Sequence, residues 1–184
     1  SHKNGTSRVA EAVNNIEATH IVLIQGDEPL ILPNDLRKMV KSIKEKPDYN
    51  VFNAIAEIDN ESCLDEQSEV KCAINEKGRI LYCFRRSPSN CNKTEQYKYI
   101  RKMLGIICYS RETLKLLENY VESEIQEIES IEQIWLISNN YDIYGVNIEH
   151  CLPSVNTKND IKRVLDYIEN NTDQREIIEE IIKL

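Results

Sequence analysis

The sequence predicts an α/β fold: a three-layer, mostly parallel, Rossmann-like sheet with a small antiparallel insertion. Three observations point there. Apolar strand-like runs alternate with helical apolar stripes along the first part of the chain, as in strand–helix–strand units. The middle, about 71–109, is instead rich in strand signals and has a hairpin signal within it, which reads as antiparallel. Two carboxylates, Asp27 and Glu28, follow the first strand at once, where ligands bind in open α/β sheets. The 184 residues are long enough for one domain with a real core, spanning 1–184, with the insertion at about 80–110.

The elements follow in order. Residues 7–18 carry apolar side chains at 9, 10, 12, 13 and 16, a helical stripe. Residues 20–25 form a buried strand that stops at Gly26. Pro29 and Pro33 then block regular pairing. Asn34 or Asp35 caps a helix carrying Leu36, Met39, Val40 and Ile43, and Pro47 lies beyond its end. A strand is expected over 51–58, then a hairpin of 71–74 with 80–84 around Asn75-Glu-Lys-Gly78. Residues 87–96 are polar and irregular, and 97–109 form a long strand in which Gly105 marks a close backbone approach. Helices follow at about 111–119 and 130–139, a strand at 142–148, and two helices near 157–170 and 173–183. Trp135 is expected in the core, 122–129 on a solvated acidic helix face, and His20 and His150 at the surface or at strand ends.

Bulk composition excludes several classes. A net charge of −8 argues against a broad nucleic-acid surface, though not against a small anion held by a few local cations. No apolar run is long enough to span a membrane, and no charged-then-apolar signal segment is present. The six cysteines (63, 72, 83, 91, 108 and 151) contain no Cys-x-x-Cys pair, so reduced, mostly buried thiols of a cytoplasmic protein are expected.

Gln25-Gly26-Asp27-Glu28-Pro29-Leu30-Ile31 resembles the Q-G-D-E-P-L-I signature of the 3-deoxy-manno-octulosonate cytidylyltransferases, the CMP-Kdo synthetases. The resemblance runs in order along the chain. His2-Lys-Asn-Gly-Thr-Ser-Arg8 is similar to H-x-S-G-T-x-R, and Tyr82-Cys-Phe-Arg-Arg-Ser-Pro88 to Y-x-F-S-R-x-P. Glu129-Ser-Ile-Glu-Gln133 is similar to E-S-L-E-Q, and Val155-Asn-Thr-Lys-Asn-Asp160 to V-D-T-P-E-D.

The resemblance implies a nucleotidyltransferase-like fold and transfer of CMP from CTP to a 2-keto-3-deoxy sugar acid, with pyrophosphate released and Mg²⁺ as cofactor. It also implies a cytoplasmic homodimer serving lipopolysaccharide biosynthesis, with the insertion at the interface. The family begins earlier, with a strand and a basic loop around the nucleotide, so the sequence reads as N-terminally incomplete. By the resemblance Asp27 binds the metal, Gln25 contacts the sugar acid, and Arg86 faces its carboxylate, a task suited to a planar fork. Asp27, Arg86 and Lys102 form the expected catalytic set, and Glu132 and Gln133 bind sugar hydroxyls. Gly5, Thr6 and Arg8 line the nucleotide side. Simpler roles stand beside these: a strand-end amide for Gln25, an N-cap for Thr6 or Ser7, a structural cation for Arg8, and exposed helix polarity for Glu132 and Gln133.

Four departures from the family pattern fall near the site. Asn156 stands where the pattern has the second metal-binding Asp. It keeps an oxygen but loses the charge that Mg²⁺ favours. Met103 and Ile107 replace a His and a Tyr that contact the sugar, and Arg85 replaces a Ser. These changes point to a diverged relative whose acid is Kdo or a related one. Two other readings remain open at this point: a non-catalytic binding or oligomerisation module, and a glycosyl transferase that releases no pyrophosphate.

Overall fold

The structure, a computed structural model, describes residues 5–183 apart from 15, 59, 119, 150 and 151. His2, at the head of the first motif, lies outside the described residues, as do His150 and Cys151.

The fold is a mixed sheet with helices packed against it. Strand β1 (His20–Ile24) and strand β2 (Val51–Ala56) follow helices α1 (Gly5–Ala12) and α2 (Pro33–Glu45). The short helix α3 (Ser62–Asp65) leads into the hairpin β3 (Lys71–Ile74) and β4 (Arg79–Phe84). Another short helix, α4 (Lys93–Gln96), precedes the eleven-residue β5 (Ile100–Ser110). Helices α5 (Arg111–Leu116), α6 (Glu124–Glu129) and α7 (Gln133–Ser138) then lead to β6 (Ile143–Asn147). Helices α8 (Asp160–Asn170) and α9 (Thr172–Ile182) close the chain.

Each residue of β2 is buried, so both faces of this strand are covered. Val51 and Ile55 pack with Ile107, Tyr109 and Ile143 of the sheet and with Ala10, Leu114 and Leu136 of α1, α5 and α7. Phe52, Ala54 and Ala56 join Leu104, Ile106, Cys108 and Val146 beneath Met39 of α2. This alternation along β2 and β5 is the period-two pattern of a strand between two apolar layers.

The expectation of a mostly parallel sheet needs correction. The strand order is β1-β5-β2-β6-β4-β3, with a further β5–β3 pairing. Of these pairings among the described residues, β2–β6 alone is parallel. Strands β1, β2 and β6 do run in one direction, but β5 is threaded between β1 and β2 against them. A strand buried on both faces has the same apolar pattern in either direction, so the sequence could not show this. The 80–110 segment therefore includes the central strand β5 as well as β4.

Local details explain where elements begin and end. Helix α2 starts at Pro33, whose fixed φ suits the first turn, and Asp35 folds back to accept a hydrogen bond from the Leu32 N–H at 3.0 Å. The β3–β4 turn closes on Gly78 at φ +82°, where a side chain would also meet the Tyr144 ring. Trp135, expected in the core, is half-buried between Tyr120 and Tyr141 and donates from Nε1 to the Val121 carbonyl.

Because β1, β2 and β6 share a direction, their carboxyl ends open on one edge of the sheet. The loops after β1 and β6 meet there: the Val155 N–H donates to the Asp27 carbonyl at 2.8 Å.

Candidate active site

Two cavities flank the end of β1. One, of about 280 Å³, is lined by Glu28, Glu69, Lys102, Met103, Gln133 and Asn156 among others. The other, of about 440 Å³, is lined by Gly5, Thr6, Arg8 and Gly26 among others. Gln25, Asp27 and Glu132 line both, so these three form the partition.

Gly105 allows the partition to form. A Cβ there would sit 2.8 Å from the Glu28 Cγ and 2.9 Å from the Gln25 Cβ. Instead the Gln25 N–H donates to the Gly105 carbonyl at 2.8 Å, and the Gly105 N–H donates to Glu28 Oε1 at 2.8 Å. The carboxylates beyond β1 are thereby anchored to the middle of β5. Burial raises the Glu28 pKa, while the Gly105 bond and Lys102 oppose that shift. Asp27 Oδ1 is buried with no hydrogen-bond donor among the described residues. Asn156 lies on the same cavity, its amide Nδ2 donating to Ser154 Oγ and its backbone N–H to Asp160.

On the other side, Thr6 of α1 donates to Glu132 Oε2 at 2.5 Å. Tyr109 of β5 is fully buried and hydrogen-bonds Thr6, and burial pushes its pKa up. Burial also raises the Glu132 pKa; the Thr6 bond opposes this and Glu122 adds to it. Thr6 thus joins the first helix to the segment before α7 across 126 residues. Gln133 is placed by a residue inside the sheet. Its Nε2 donates to Asn53 Oδ1 at 2.9 Å, and Asn53 Nδ2 donates to the Ala54 and Leu104 carbonyls. Asn53 is fully buried at an irregularity in the β2–β5 register, where a polar side chain can take up backbone groups the ladder leaves.

The cations on the first cavity, Lys102 and Arg85, are committed to protein partners. Lys102 meets Glu69 at 2.8 Å, both about nine-tenths buried. Arg85 lines the cavity and donates to the carbonyls of Gln67, Glu129 and Ser130. Arg86, expected to face a substrate carboxylate, is exposed and does not line either cavity. Its guanidinium lies against the Gln67 side-chain amide, whose oxygen accepts from it when the amide is turned to face it. Both arginines lie in the bend just after β4, and of the two it is Arg85 that turns toward the cavity.

Gln25, Asp27, Lys102, Glu132, Gln133 and Asn156 are therefore brought around one cavity, and Gly5, Thr6 and Arg8 around its neighbour. Met103 and Ile107 lie on the first, giving it an apolar wall. Sequence reasoning missed Asn53, Glu69 and the anchoring role of Glu28. An Asn within an apolar strand was the one available signal for Asn53; Glu69 is hidden in an acidic run.

Comparison with known proteins places the chain. It is 29% identical over 172 residues to the 3-deoxy-manno-octulosonate cytidylyltransferase of Fusobacterium nucleatum, covering 93% of this chain and 70% of that protein. The Arabidopsis thaliana mitochondrial enzyme of that name is 30% identical, with 89% and 58% covered, and the Escherichia coli one is 29% identical, with 89% and 65% covered. The chain thus spans between 58% and 70% of the length of these three relatives. A solved structure of CMP:2-keto-3-deoxy-manno-octonic acid synthetase complexed with CTP matches with a TM-score of 0.82 at 27% identity, covering 92% of this chain and 70% of that one. A Bacillus anthracis putative glucose-1-phosphate thymidylyltransferase shares the fold, with a TM-score of 0.57 at 12% identity and 92% and 62% covered. Residues 1–148, most of the chain, match the family model described as cytidylyltransferase, and the chain belongs to that family of CTP-dependent enzymes.

Proposed function

We propose that the chain transfers CMP from CTP to a 2-keto-3-deoxy sugar acid, Kdo or a related acid. A hydroxyl oxygen of the acid attacks the α-phosphorus, a new P–O bond forms, and the bond to pyrophosphate breaks. The observation that carries this reading is the partition itself. Asp27, with one carboxylate oxygen buried and lacking a donor among the described residues, stands between two cavities that could each hold one substrate. Such transfers depend chiefly on positioning and on charge stabilisation, and this arrangement suits both.

The nucleotide is assigned to the side of Gly5, Thr6 and Arg8, where an exposed cation meets the start of α1. The sugar acid is assigned to the side of Glu132 and Gln133, where Asn53 and Thr6 fix the two polar groups. Glu132 or Glu28, each with its pKa raised by burial, can take the proton released by the attacking hydroxyl.

The residues fit a hard cation. The unpartnered Asp27 oxygen and the Asn156 amide oxygen, on adjoining loops, would hold Mg²⁺. When bound it would supply positive charge to offset that of the phosphates. By family resemblance the active form we propose is a homodimer, of about twice the 21.4 kDa chain mass by sedimentation.

The test is pyrophosphate release with CTP, Mg²⁺ and a panel of sugar acids including Kdo. It should be run on this chain and on a form carrying any residues that precede it in the natural protein. Release is expected, and Asp27→Ala should abolish it while the protein stays folded. Full turnover in that variant would refute the role given to Asp27; silence with every acid in both forms would refute the transferase reading.

A further inference from the structure

Glu69 is a buried carboxylate on the sugar-side cavity that the transfer chemistry above leaves without a role. It sits just before β3, 9% exposed, and lines the cavity with Lys102, Ile107 and Gln133. Oε1 accepts from Lys102 Nζ at 2.8 Å. Oε2 is equally removed from solvent and has no donor among the described residues.

The described residues around it do not supply that donor. The buried Lys71 Nζ donates to the Glu66 carbonyl, Arg85 serves three carbonyls, and Gln133 Nε2 serves Asn53. The adjacent wall, Val70, Met103 and Ile107, has no strong hydrogen-bonding side chain. Buried acceptors in folded proteins are normally satisfied, and one left open on a ligand cavity points to a donor that arrives with the ligand. A carboxylate or phosphate of the ligand would be repelled here, since Glu28 and Asp27 lie close by. A neutral donor suits the position.

We infer that Glu69 determines specificity, Oε2 accepting a hydrogen bond from one hydroxyl of the sugar acid while Oε1 remains on Lys102. This rests on the transferase reading. It implies that the acid carries a hydroxyl facing Glu69 and turns a less polar edge to Met103 and Ile107. A congener without that hydroxyl would leave the buried carboxylate unpaired and be discriminated against.

The experiment pairs a change in the enzyme with a change in the substrate. Glu69→Gln keeps an oxygen for Lys102 and presents an amide N–H₂ to the substrate hydroxyl. With the acid that the wild type uses best, KM for the acid should rise about 10- to 100-fold, the worth of one charge-assisted hydrogen bond. KM for CTP and the thermal midpoint should stay near wild type. For the single-deoxy congener lacking the contacted hydroxyl, the variant and the wild type should perform alike. The double variant Glu69→Met with Lys102→Met removes both charges together and should fold, and its equilibrium binding of the acid should match its binding of that congener. A KM for the acid untouched by Glu69→Gln, or a loss of the same size for every congener, would overturn the assignment and leave Glu69 as a partner of Lys102 only. Pyrophosphate release by the wild type separates that outcome from failure of the transferase reading, in which no acid is used and this inference falls too.

Discussion

At the scale of single residues, the site is held by buried polar contacts between residues far apart in sequence. Lys102 and Glu69 are both nearly out of solvent, so removing one partner strands the other charge. Lys102→Ala should cost about 3–5 kcal/mol of stability, whereas the paired replacement by methionines should cost far less, as denaturant unfolding would show. Asn53 bonds two carbonyls and Gln133 from inside the sheet. Asn53→Leu should lose roughly 1–3 kcal/mol and raise KM for the sugar acid, because Gln133 would be released. At the proposed metal position, Asn156→Asp restores a carboxylate and should lower the Mg²⁺ concentration needed for half-maximal rate; an unchanged Mg²⁺ titration in the folded variant would remove Asn156 from that role. The sequence exposed the residues that sit in recognisable motifs, Gln25, Asp27, Glu132 and Gln133. It gave little sign of Asn53 and Glu69, whose importance depends on partners 80 and 33 residues away.

At the scale of elements, Gly105 ties the loop after β1 to the central strand. Gly105→Ala would push a methyl group to within 3 Å of the Glu28 and Gln25 side chains, so the loop that carries Asp27 must move. A lower thermal midpoint and a loss of turnover should appear together in that variant. Gly78→Ala, at the hairpin turn, should lower the midpoint through its positive φ while leaving KM values nearly unchanged. The close approach at Gly105 was legible, since a glycine inside a long apolar strand signals one. Most element positions were legible too, because periods of two and 3.6 survive in strands and helices packed on one core. Helix α1 proved shorter than its apolar stripe, ending at Ala12 where 18 was expected. The direction of β5 was not legible at all, since it is decided by which edges are free when the sheet assembles.

At the scale of the whole molecule, the acids of the site set a pH dependence of stability. Burial raises the Glu28 and Glu132 pKa values above their ordinary carboxylate value in the folded state. The folded state therefore holds these protons more firmly than the unfolded chain. Their contribution to stability is fully present below the ordinary value and is lost as pH rises through the raised one. Glu28→Gln, which can still accept from the Gly105 N–H, should raise the thermal midpoint at pH 7–8, and the gain should fade toward pH 4. A gain that grew on acidification would contradict the sign. The placement of β5 also bears on how the chain is made. His20 of β1 pairs with Ser110, 90 residues later, and Val51 of β2 pairs with Ile143. At about 5–20 residues per second, a ribosome takes roughly 4–18 s to deliver the partner of β1 after β1 itself has been made. For that interval the apolar edge of β1 has left the ribosome without the strand that covers it. The arrangement that ties the loop carrying Asp27 to β5 thus leaves the newborn chain dependent on whatever shields exposed strands during synthesis.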